Sequence, residues 1–302
     1  MKRSTWTRGS RTVAAVAAAF PLALGGLAPA TARAAEPAPK LTESEHFTID
    51  PIVDGSLVVG AATFDYLLGL VLSSGEIVPQ APGSSDKLSS IDRWAVTQTI
   101  DPHADRNSTI GLYGAYGYAL LDSVLTGVRD GKRSGLVDGV LYAEAITITG
   151  AFTSATKIGV RRPRPLDYAN CAPDTKKPGA DCSSTDLQLS FFSGHASTTG
   201  AIASTATYLA FTRAGWRSPR PWITLGVGTA LTAFVSYERV RSGKHFPTDV
   251  IMGSMAGAGI GLMVAHLHRR PHYHEDQLET PSVIVGYAPM PGGGSVNAEW
   301  RF

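Results

Sequence analysis

Six long apolar stretches, separated by polar joints, set the pattern of this chain: 54–73, 108–128, 136–156, 196–213, 222–237 and 247–268. Each is long enough for several helical turns, and none alternates as a half-buried strand would. They are dense in Gly, Ala, Ser and Thr, small residues that let helices approach closely in water or in lipid. The pattern therefore predicts an all-α bundle of about six main helices, occupying 54–270. A shorter helical piece is expected around Asp92-Arg93-Trp94, ahead of Pro102. The segments 75–90 and 161–189 have turn composition. Outside the bundle, 35–53 is polar and reads as an extended lead-in. In the tail, 271–302, the β-prone runs 282–287 and 295–302 flank Met290-Pro291-Gly292-Gly293-Gly294 and predict a short hairpin.

The N-terminus adds a targeting signal. Lys2, Arg3, Arg8 and Arg11 precede an apolar run at 12–27, and Ala32-Arg33-Ala34 follows. This is the layout of a secretory signal peptide over 1–34, with an N-terminal membrane anchor as the alternative. The runs 54–73 and 250–267 approach the length of a spanning helix. The other four carry polar groups, including Asp122, Asp138 and Glu144, which are costly in lipid unless they face a polar interior. With a mean hydropathy of +0.01, the expectation is an exported domain, periplasmic or extracellular, soluble or membrane-associated, rather than a fully integral one.

A formal net charge of +2 gives no reason to expect nucleic-acid binding. The two cysteines, Cys171 and Cys182, lie close together in a Pro/Gly/Asp-rich segment, and in an exported chain they predict a disulfide. His266, His268, His272 and His274 could bind metal, but cationic residues at a solvated helix end account for them more simply.

Three polar clusters sit at predicted helix ends. The first follows the 136–156 helix and holds Lys157, Arg161, Arg162, Arg164 and Pro165, with ammonium and guanidinium groups suited to phosphate oxygens. The second is Phe192-Ser193-Gly194-His195, where a helix start offers unpaired N–H groups and a titratable imidazole. The third runs from Tyr237 to Asp249 and contains Glu238, Arg239, Arg241, Lys244, His245 and Pro247. Asp249, four residues beyond His245, could orient that imidazole or simply cap a helix that begins at Pro247.

Taken in order, the clusters read K-x6-R-P, S-G-H and R-x5-H-x3-D. They resemble the signature of the type 2 phosphatidic acid phosphatase family (PAP2), whose superfamily includes bacterial class A acid phosphatases and vanadium-dependent haloperoxidases. The resemblance covers roughly 108–268. Two positions depart from it: Phe192 stands where a proline is usual, and Glu238 where a serine is. The resemblance implies a helical phosphatase domain that uses no cofactor or metal. It would hydrolyse phosphate monoesters or diphosphates, on a lipid or a soluble small molecule, through a phosphohistidine. His245 would be the nucleophile, Asp249 its orienting carboxylate and His195 the acid. Lys157, Arg164, Arg239, the Ser193 hydroxyl and the Gly194 N–H would hold the phosphate. Arg161, Arg162, Arg241 and Lys244 would add charge for an anionic headgroup. A haloperoxidase and a non-catalytic module binding anionic lipid are the rival functions.

Overall fold

The computed structural model describes residues 46–77, 80–180, 182 and 189–270, with the backbone of 282–290 and 293–301. The expected leader and most of the lead-in lie outside the described residues. Among the described residues, six long helices are present: α1 (Pro51–Ser73), α3 (Ala104–Arg129), α4 (Lys132–Val160), α6 (Gly194–Ala214), α7 (Pro219–Arg241) and α8 (Pro247–Leu267). Two short ones, α2 (Ser90–Thr97) and α5 (Pro165–Cys171), flank the loops at one end. Two strands, β1 (Ser282–Met290) and β2 (Gly293–Arg301), pair antiparallel.

Several helices extend past their apolar cores because polar residues cap them. Asp50 accepts from the N–H groups of Ile52 and Val53, so α1 starts at Pro51, inside the stretch expected to be extended. Pro165 occupies the first turn of α5, where its missing N–H costs nothing. A segment read as turns throughout thus contains a helix. Arg161, at φ 50°, ends α4 in the left-handed conformation, and its N–H donates to the Lys157 carbonyl.

The α6 helix lies at the centre, packed against α8, α7, α4 and α3, while α1 packs on α4 at the periphery. Buried Ala115, Ala119, Leu141, Ala145, Ala201, Ile202, Ala206 and Leu209 form the main core. The α6–α8 seam is close. A Cβ on Gly257 would fall 1.8 Å from the Ser197 carbonyl oxygen, and one on Gly253 would fall 2.8 Å from that of Ser193. These two glycines let α8 lie directly against the start of α6.

Two acids within the helices are turned inward and paired with basic or hydroxyl groups. Asp138 accepts from Arg213 at 2.5 Å, and Asp122 accepts from Tyr142 at 2.9 Å and Arg220 at 3.2 Å. The outside is correspondingly apolar: Ile52, Val59, Tyr66, Leu120, Val128, Leu136, Ile223 and Met255 are all exposed. Three stretches, Pro51–Ser73, Lys132–Cys171 and Pro247–Leu267, are long and apolar enough to cross a membrane. The chain is accordingly membrane-associated, since so much exposed apolar surface is not left to water.

Candidate functional site

Five helix ends meet on one face of the bundle: the starts of α3, α6 and α8 and the ends of α4 and α7. Interactions between distant segments hold them there. The Ser193 N–H donates to the Asp249 carbonyl at 3.2 Å, joining the α6 start to α8. The Thr153 and Ser197 hydroxyls lie 3.0 Å apart, joining α4 to α6, and Arg239 pairs with Asp105, joining α7 to α3.

His245 is almost fully buried in the loop between α7 and α8. Its Nδ1 lies 2.7 Å from the Ser190 carbonyl oxygen and 3.9 Å from Asp249 Oδ2. A carbonyl only accepts, so Nδ1 carries the proton and Nε2 keeps its lone pair. The carboxylate expected to fix this tautomer does not touch the ring. Asp249 instead accepts from the Ser190 hydroxyl, from the Phe246 N–H at 2.9 Å and from Arg162. It is both a helix cap and a brace for the loop that presents the Ser190 carbonyl, and it acts on His245 through that loop.

Arg162 is the centre of a buried ionic network. Besides Asp249, it donates to Asp92 at 2.8 Å and to the Thr248 hydroxyl at 2.8 Å, and its guanidinium lies 4.1 Å from the Phe246 ring centroid. Asp92 also accepts from the Thr248 N–H and hydroxyl, tying α2 to the first turn of α8. Sequence reasoning counted Arg162 as free charge for a headgroup, yet its charge is spent on two carboxylates inside the protein.

His195, in the first turn of α6, is half-buried, with Nε2 3.4 Å from the Thr109 hydroxyl. Burial pushes its pKa down to about 4, reinforced by Arg239, opposed by Asp105, and pushed further down by Lys157 and Lys244. His245 is held well below the usual histidine range by burial first, then by Arg239, Arg164 and Lys157. The cations of the first and third clusters therefore act on both imidazoles at once. Lys157 lies in the last turn of α4 rather than beyond it, and Arg164 is buried at the cap of α5. Ser193 caps α6, its hydroxyl accepting from the Ala196 N–H at 3.4 Å. A Cβ on Gly194 would lie at an ordinary 3.5 Å from the Thr153 methyl group, so the helix start touches α4 there without crowding.

Asp105 was not singled out in the sequence, where nothing distinguishes it from other helix-start acids. It pairs with Arg239 and, at 3.1 Å, with Lys244. It is therefore the acid that balances the site cations, whereas Glu238, next to Arg239 in sequence, faces Asn107 at 3.5 Å. Arg241 pairs with Asp101 at 3.5 Å. Phe192 is buried against Phe152 and Phe191. Cys171 and Cys182 form a disulfide, at the same end of the bundle as the site.

Two comparisons bear on the chain. In a crystal structure of a transmembrane PAP2 type phosphatidylglycerolphosphate phosphatase from Bacillus subtilis, the match spans 71% of this chain and 94% of that one, with 18% identity and a TM-score of 0.43. The family model of the PAP2 superfamily matches residues 138–273, an interval that contains Lys157, Arg164, Ser193, Gly194, His195, Arg239, His245 and Asp249. Over that interval, the chain matches the PAP2 superfamily.

Proposed function

We propose that the chain is a phosphatase acting on a phosphate ester, most suitably one carried by a lipid, through a phosphohistidine formed on His245. The observation that carries this reading is the pairing of two neutral imidazoles with one set of cations. A nucleophile must be unprotonated, and His245, with Nδ1 donating to Ser190, presents a basic Nε2. His245 Nε2 would attack phosphorus as the ester P–O bond breaks, and His195 would give its proton to the leaving oxygen. In the second step His195 takes a proton from water, whose oxygen displaces His245. Lys157, Arg164, Arg239, Ser193 and the Gly194 N–H would compensate the equatorial oxygens, where phosphoryl transfer develops its charge. The phosphate also raises the proton affinity of His195, because its charge offsets the cations that otherwise depress it. No step in this scheme calls for a metal.

The apolar helix surfaces favour a lipid substrate, since they hold the site beside a bilayer. The disulfide at the site end favours an oxidising compartment for that end. A cleaved leader would put Ala35 in the same compartment. In a bundle that crosses one membrane, however, Pro51 and the disulfide lie on opposite sides, because α1 runs parallel to α4 toward the site. Sequencing the mature N-terminus together with thiol labelling separates a crossing bundle from one held at the surface.

Purified protein should release phosphate from phosphatidic acid vesicles faster than from a water-soluble ester, and His245→Ala should abolish release from both. Near-wild-type turnover by His245→Ala would refute the nucleophile assignment. Equal rates on lipid and soluble esters would refute the lipid preference.

A further inference from the structure

At the end of the bundle opposite the phosphate site, three ligand-type side chains from three helices face one another. Asp54 comes from the first turn of α1, Glu144 from the middle of α4 and His268 from the cap of α8. His268 Nε2 lies 3.4 Å from Asp54 Oδ1 and 3.6 Å from Glu144 Oε2, and the three donor atoms all lie within 4.8 Å of one another. Asp54 is 5% exposed and Glu144 1%.

The surrounding hydrogen bonds decide how these atoms are used. His268 Nδ1 is 2.8 Å from the Val264 carbonyl oxygen, to which it donates, so Nε2 is the ring atom turned toward the two carboxylates. Asp54 Oδ2 accepts from the Asp50 N–H at 2.6 Å, which turns Oδ1 toward His268. Glu144 Oε1 is buried and has no hydrogen-bond partner among the described residues. Neither carboxylate has an arginine or lysine ion pair among those residues. Three ligand-type side chains thus converge, with two buried carboxylates facing one imidazole Nε2. Fixing one imidazole nitrogen on a backbone carbonyl while the other faces acidic oxygens is the support that metal-binding histidines receive.

We infer that Asp54, Glu144 and His268 form a binding site for a divalent transition-metal ion of the zinc or manganese type, distinct from the phosphate site. Donors about 2.1 Å from a tetrahedral ion lie about 3.4 Å apart, close to the 3.4 and 3.6 Å that separate His268 Nε2 from the two carboxylates. One nitrogen and two carboxylate oxygens suit zinc and manganese, and two negative charges match a divalent cation. A cleft lined by Thr48, Ile49, Asp50, Leu267 and His268 leads in from the surface, giving an ion its access and a fourth position for water. The ion would pin peripheral α1 to α4 and α8. His268 is therefore more than one member of a solvated histidine run: its partners come from α1 and α4, remote in sequence, while His266 is engaged with the Tyr208 hydroxyl at 2.8 Å.

The full chain, purified without chelator and then stripped, is titrated with zinc chloride and with manganese chloride and followed by calorimetry and by thermal unfolding. One equivalent should bind with a dissociation constant of micromolar or tighter and raise the unfolding midpoint. Glu144→Gln should weaken binding at least a hundredfold while keeping side-chain shape, and His268→Ala should do the same. His245→Ala should leave the stoichiometry and affinity unchanged, so the result is independent of the phosphatase assignment. Absence of stoichiometric binding by the wild type, or wild-type affinity in both Glu144→Gln and His268→Ala, would overturn the inference and leave a proton shared among the three groups.

Discussion

Replacing Asp105 with asparagine tests how the site balances its charge. The Asp105 carboxylate is about half exposed and holds Arg239 and Lys244 in the free protein. Arriving phosphate meets cations already paired, and its own charge is repelled by Asp105. At about 6 Å and an effective dielectric of about 40, between surface and bulk values, one unit of like charge costs ~1.4 kcal/mol, a factor of about ten in affinity. Asp105→Asn should therefore lower the inhibition constants of phosphate and vanadate about tenfold, with a smaller effect at high salt. The same carboxylate supports the proton affinity of His195. The variant should thus lose kcat on esters with poor leaving groups and keep it on activated aryl esters, where little proton donation is needed. Steady-state kinetics on both ester types, with vanadate inhibition, reads both effects. An unchanged vanadate constant would refute the reasoning, as it would mean that Asp105 does not act on the bound anion.

Two further outcomes follow from the same network. Arg162→Ala leaves the buried carboxylates of Asp92 and Asp249 uncompensated and should cost about 3–5 kcal/mol in denaturant unfolding; a loss under about 1 kcal/mol would contradict its bridging role. His195 should make the free protein less stable in acid. Its folded pKa of about 4 lies below the unfolded value near 6.5, so the unfolded chain binds the proton first as pH falls. The stability at stake is about 3 kcal/mol, present above pH ~6.5 and lost as pH falls toward 4. His195→Gln should flatten that dependence, and an unchanged pH–stability curve would contradict it.

What could be read from the sequence was whatever is local. Small-residue apolar runs mark the six long helices, and the spacings K-x6-R-P and R-x5-H-x3-D set their residues on neighbouring turns or in one loop. What could not be read was which charges meet across the fold. Asp105 reaches Arg239 from 134 positions away, and Asp92 reaches Arg162 from 70. Neither acid lies in a motif, so Arg162 and Lys244 looked free. Asp249 followed His245 at a helical spacing that fits direct contact, yet the first-turn geometry of α8 aims it at the Phe246 N–H, and the Ser190 carbonyl takes its place at the imidazole. Similarly, the prolines that suggested a turn at 161–189 are compatible with a helix start, and α5 begins on one of them.

The central claim is that His245 becomes phosphorylated. His195→Ala provides the conditions to observe it, since in the proposed scheme His195 would also activate the water that clears the intermediate. Mixed with an activated aryl phosphate and quenched in alkali within milliseconds, this variant should release a burst of about one equivalent of phenol and carry one phosphoryl group, located by mass spectrometry on His245. Phenol release without a phosphoryl group on His245 would contradict the account.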